Sequence, residues 1–132
     1  MAHLLGGRVR KGDKGEYGLA TLDLDATADP LFSNLAGSQQ IWMSHRDAVA
    51  AVPEGFTVAG RTATCEVAAM AAPERKLYAV QFHPEVVHTT RGREFLHNFV
   101  FRVCGCKPDW DPQHRAGLLE EEIRAYAHGR KV

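Results

Sequence analysis

The hydrophobic positions of this chain follow two rhythms. Across LATLDLD, Ala20, Leu22 and Leu24 alternate with Thr21, Asp23 and Asp25, the period of a half-buried strand. QIWMSH, GFTVAGRT, EVAAMAA and LYAVQF are four further apolar runs of strand character. From about Arg91 to Val103 the interval changes. Phe95, Leu96, Phe99, Val100 and Val103 share one helix face, with Thr89 or Thr90 as the expected cap and Gly105 as the stop. A more polar helix is expected from about Gln113 to His128, where Leu118, Leu119, Ile123 and Tyr126 form a narrower stripe.

The connecting pieces fit this reading. ADPLFSNL predicts a short helical turn, with Asp29 as cap and Pro30 in first position. APERK is the turn before the last strand, and KPDWDPQ is a polar, proline-punctuated connector. RVRKGDKGEYG is a charged lead-in to the first strand. MAHLLGG reads as the last turn of a helix, with Met1, Leu4 and Leu5 on one face and Gly6-Gly7 as the stop. A single turn is not stable alone, so the chain is expected to begin inside an element. Strands followed by helices predict an α/β or α+β class.

Composition narrows the function classes. The 132 residues suit one domain, and 45% hydrophobic with 24% charged is ordinary for a soluble globular protein. Sixteen basic residues balance sixteen acidic ones, so no basic field points to nucleic acid or an anionic membrane. No apolar run is long enough to cross a bilayer, and the N-terminus is too short for a secretory signal, so a cytoplasmic location is expected. Cys65, Cys104 and Cys106 are too few and too irregular for a disulfide framework. His83 and His88 are spaced as neither HxxxH nor HxH, and no metal is expected.

The candidate chemistry lies at His83-Pro84-Glu85, at the end of the LYAVQF strand. Residues two apart in an extended segment point the same way, and Pro84 keeps His83 out of helical geometry. Glu85 can therefore accept from one imidazole nitrogen and leave the other as a base. That is the base-and-orienter half of a nucleophilic triad. A strand-end histidine paired locally with a glutamate is the plain structural alternative.

The surrounding residues resemble the class I, triad-type glutamine amidotransferases. The narrower likeness is to glutaminase domains of the GMP synthase family. GEYG (15–18), WMSHRD (42–47), VPEGF (52–56), YAVQFHPEVVHT (78–89) and NFVFRVCGC (98–106) with Trp110 carry it. The resemblance implies an incomplete flavodoxin-like mixed sheet with flanking helices. Residues 1–108 would be part of the amidotransferase domain. Residues 109–132 would be the connector and helix leading to an ATP pyrophosphatase synthetase domain. It implies His83 and Glu85 as catalytic residues, with Ser44, His45 and Asp47 at the glutamine pocket in a loop MSHRD. ATP and magnesium would serve only the synthetase domain.

The resemblance also places the family's nucleophilic cysteine in a glycine-flanked elbow upstream of Met1. None of the three cysteines present has those flanking glycines. The chain alone is thus expected to be inactive. It would be a fragment of a longer enzyme, a subunit completed by another chain, or a non-catalytic binding module. An uncovered sheet edge is expected to favour homo-oligomers. Three positions depart from the family pattern. Arg46 stands where glycine is usual and would be strained at positive φ. Glu66 replaces proline and Val87 replaces threonine.

Overall fold

The structure is a computed structural model and describes residues 1–25, 30–35, 37–109 and 111–128, with Asp13 and Lys14 described by backbone alone. Five strands form one sheet in the order β2-β1-β3-β4-β5: β1 Arg8–Leu24, β2 Ser38–Ala51, β3 Thr57–Arg61, β4 Ala69–Ala72 and β5 Leu77–Val80. Each of their ladders is antiparallel. A helix, α1 (Gly92–His97), continues as π-helical turns over Asn98–Val103, and a second helix, α2, spans Pro112–Ala127. This is the α/β fold expected from the sequence.

Alternation explains the first layer of packing. Leu22 is fully buried, Ala20 and Leu24 are half-buried against the same core, and Thr21 and Asp23 are exposed. On β2, Ile41 and Met43 are fully buried, while Gln40 and Ser44 face outward. β4 is buried on both faces. Ala69 and Ala71 join the core of Leu22, Ile41 and Phe82, and Met70 and Ala72 join Phe56, Val67 and Ala2 on the other side. Each large side chain so buried contributes roughly 1.5–3 kcal/mol.

The first strand is longer than its pattern suggests. RVRKGDKGEYG is part of β1 rather than a lead-in, paired with β2 from Arg8 opposite Ala51 onward. A bulge lies between Lys11 and Glu16, and there the backbones approach closely. A Cβ on Gly15 would sit 2.9 Å from the His45 carbonyl oxygen, so only glycine fits. MSHRD lies within β2 and is not a loop. Arg46 is not among the positive-φ residues, so no left-handed strain attaches to it.

The chain after β5 curls back across the sheet. Phe82 forms an isolated antiparallel bridge with Met43, joining the last strand's continuation to β2. The Phe82 and Phe95 rings meet edge to face at 5.1 Å, which seats α1 on this junction. Phe95 and Val103 are buried, but Phe99 is 41% exposed. From Asn98 the backbone hydrogen bonds span five residues rather than four, as in the Cys104 N–H to Phe99 carbonyl bond of 2.9 Å. Buried Asn98 holds this stretch instead, donating to the carbonyls of Leu31 (3.0 Å) and Ser33 (2.8 Å).

Neither threonine caps α1. Arg91 is the N-cap and offers no side-chain cap. The expected cap Asp29 lies outside the described residues, as does Trp110. Asp111 caps α2 by accepting from the Gln113 N–H at 3.0 Å. No residue of α2 is buried, and Leu118, Leu119, Ile123 and Tyr126 are all exposed. The N-terminal turn His3–Leu5 is a short 3₁₀ helix with Met1, Leu4 and Leu5 exposed. No described helix is long and apolar enough to cross a membrane.

Candidate functional site

His83 follows β5 and is held in place by its backbone. Its N–H donates to the Trp42 carbonyl at 3.0 Å. Its own carbonyl accepts from the Thr89 hydroxyl at 2.5 Å, and the same hydroxyl accepts from the Trp42 N–H at 3.1 Å. Thr89 is therefore a buried clip between β2 and the His83 segment. Gln40 adds two more ties, its carbonyl accepting from the Thr90 N–H and its side chain donating to the His88 carbonyl at 3.1 Å. The His88 ring stacks on Trp42 at 4.5 Å.

Within this frame the two predicted side chains meet. His83 Nδ1 lies 2.8 Å from Glu85 Oε1. A carboxylate only accepts, so Nδ1 carries the hydrogen and Nε2 presents its lone pair. Both side chains are about half exposed, at 42% and 59%. The hydrogen bond from His83 holds the Glu85 carboxyl below the usual glutamate range. The pair is thus an ionised acceptor and a tautomer-fixed base, open on one side.

The other predicted residues separate by strand parity. Ser44 projects from the exposed face of β2 that also carries Trp42 and Arg46. His45 continues the inward row of Ile41 and Met43, and its side chain turns away to Glu16 on β1. Asp47 is exposed, and its carbonyl accepts from His45 Nδ1 at 3.0 Å. Two residues that hold the site have no clear signal in the sequence. Thr89 reads there as a helix cap, and Gly92 as an ordinary helix residue. A Cβ on Gly92 would overlap the Pro84 carbonyl.

The family model for class I glutamine amidotransferases matches residues 1–103. The chain belongs to the class I glutamine amidotransferase family. Along all 132 residues this amidotransferase chain is 51% identical to a glutamine-hydrolyzing GMP synthase of Symbiobacterium thermophilum, covering 26% of that protein. Over 93% of its length it is 52% identical to the GMP synthase of Thermobifida fusca, covering 22% of that one. It thus spans about a quarter of the length of these curated relatives.

Among solved structures, a protein of Thermoplasma acidophilum described as a GMP synthase subunit superposes with a TM-score of 0.73 at 34% identity, covering 79% of this chain and 51% of that one. The glutaminase domain of a Trypanosoma brucei CTPS with bound acivicin shares the fold, with a TM-score of 0.56 at 19% identity over 78% of this chain and 48% of that one. Helix α2 lies beyond the family match but inside the region shared with the Symbiobacterium synthase.

Proposed function

We propose that this chain forms the base-and-orienter half of the glutaminase site of a glutamine-hydrolysing GMP synthase. The observation that carries this reading is the 2.8 Å contact of His83 Nδ1 with Glu85 Oε1, just beyond β5, with both side chains about half exposed. The likeness to GMP synthases supports that parent activity within the amidotransferase class.

In this reading His83 Nε2 takes the proton of a cysteine thiol as the sulfur adds to the side-chain amide carbon of glutamine. His83 then gives that proton to the departing ammonia, leaving a glutamyl thioester. A water that loses its proton to His83 hydrolyses the thioester and releases glutamate. Glu85 fixes the imidazole tautomer and stabilises its cation at each transfer. Ser44 and the His45 backbone would contact glutamine from β2, the strand that anchors the His83 amide, and Asp47 would position that stretch. Ammonia would pass to an ATP- and magnesium-dependent synthetase domain for the conversion of XMP to GMP, with α2 as the lead toward it.

The nucleophile in this reading is supplied from outside these 132 residues. Cys65 is buried beside Glu16 and His45, and Cys104 and Cys106 follow the helix after the site. A separate chain that carries the cysteine is the second form of this reading.

The test is complementation. The chain is mixed with the N-terminal amidotransferase segment of the Symbiobacterium synthase, and glutamate release from glutamine is measured. The chain alone should give background, since loss of a triad nucleophile removes on the order of 10⁶ in rate. The mixture should be active, and His83→Ala should abolish that activity. Activity that survives His83→Ala in the mixture would overturn the assignment.

A further inference from the structure

The Glu16–His45 contact is part of a three-element cluster whose side chains the glutaminase reading does not use. Glu16 comes from β1 just past the bulge, His45 from β2 directly opposite, and Cys65 from the turn between β3 and β4. One donor atom from each lies within 4.8 Å of the other two. The His45 side chain is only 10% exposed.

The hydrogen positions make this arrangement unusual. The Asp47 carbonyl can only accept, so His45 Nδ1 carries a hydrogen, and in the neutral ring Nε2 bears a lone pair. That lone pair faces Glu16 Oε2 at 3.4 Å, and both atoms are buried without a hydrogen-bond partner. Two buried acceptors facing each other need a proton or a cation between them, and the Cys65 sulfur beside them offers a third ligand to a cation. The remaining groups are already fixed. The Thr62 hydroxyl donates to Glu16 Oε1 at 3.0 Å and accepts from the Cys65 N–H at 3.0 Å, so one side chain orients two of the three elements. A histidine held by a carbonyl and a carboxylate held by a hydroxyl are the outer contacts that metal ligands commonly have.

We propose that Glu16, His45 and Cys65 form a binding site for a thiophilic divalent cation, zinc foremost. Thiolate, imidazole and carboxylate together suit zinc rather than magnesium or calcium. Three protein ligands would leave a fourth tetrahedral position, and Glu16 and His45 also line the cleft formed with Arg10, Tyr17 and Thr64. The thiolate and carboxylate charges would offset the cation inside the fold. Burial pushes the Cys65 thiol above its ordinary range, so zinc binding would release its proton to solvent. Sequence spacing could not reveal the site, because its ligands come from three separate segments.

Cobalt(II) and zinc(II) titration of the 132-residue chain tests the proposal. Cobalt should bind one equivalent, with a thiolate charge-transfer band in the near ultraviolet and the visible bands of a tetrahedral ion, and zinc should displace it. Cys65→Ser should remove the charge-transfer band. Thr62→Ala should weaken zinc roughly 10–100-fold, as loss of an outer contact does. The Cys104→Ser/Cys106→Ser double variant should bind as the parent does. Circular dichroism on each variant separates lost binding from lost fold. Absence of the thiolate band in the parent chain would overturn the site, leaving a proton on His45 as the occupant. So would its loss in the double variant, which would place the metal at the exposed cysteines.

Discussion

Gly92 lies so close to the Pro84 carbonyl that a β-carbon there would overlap it. The contact joins the first residue of α1 to the proline between His83 and Glu85. Because the obstacle is backbone, no side-chain rotation can relieve it. Gly92→Ala should therefore destabilise the fold by about 1–3 kcal/mol, in the range of overpacked sites. Urea denaturation should show a lower midpoint with an unchanged slope.

The Glu85 carboxylate should titrate below the ordinary glutamate range because His83 donates a hydrogen bond to it. The folded value is lowered relative to the unfolded one. The contribution of the pair is thus complete above the unfolded glutamate range and lost as pH falls through the lowered value. Side-chain carboxyl resonances followed by NMR should show a low midpoint for Glu85. His83→Ala should return it to the ordinary range, and an unchanged midpoint would mean that the pair does not form in solution.

Thr89→Val keeps shape but removes the hydroxyl that bridges Trp42 and His83. It leaves the Trp42 N–H without its buried partner, which should cost about 1–3 kcal/mol. Thr89→Ser should recover most of that stability. If valine and serine have the same effect, the hydroxyl is not the clip.

Asn98→Ala should cost a similar amount, about 1–3 kcal/mol, because two carbonyls lose their donor. Proteolysis should then cut more readily near Leu31 to Leu35, the segment Asn98 ties to the helix. Equal cutting rates in parent and variant would count against this anchor.

An apolar groove between β5 and the helix is lined by Leu31, Tyr78, Val80, Phe82, Phe95 and Phe99. A second copy of the chain would cover this groove by packing an apolar surface against it. Sedimentation velocity should show association that grows with concentration, reduced by Phe99→Glu. A monomer at high concentration would refute this.

The sequence makes legible whatever depends on local period. Alternation places Leu22, Ile41 and Met43, and the meeting of His83 with Glu85 follows from their spacing in an extended segment. The rest depends on distant backbone. Arg8 to Tyr17 carry charge and glycine rather than alternation, and their strand is held by its ladder to β2. MSHRD has the polar composition of a loop, yet His45 occupies the inward row of that strand. Thr89 suggests a local capping role because its partner Trp42 is remote in sequence. A 3.6-residue period puts Phe99 on the buried face, but the π-helical turns do not keep that period.

The bridge between Phe82 and Met43 also bears on the order of events in folding. Its two partners belong to opposite ends of the strand order, so the bridge joins segments far apart along the chain. Contacts so distant along the chain form slowly, because loop closure must be completed before they return any stabilisation. The His83 amide should therefore gain protection from hydrogen exchange late in refolding, together with the Trp42 amide and well after the helical amides of α2. The histidine would then be oriented only in molecules in which the bridge has closed, and a kinetic intermediate lacking that closure would carry the right residues with no fixed base.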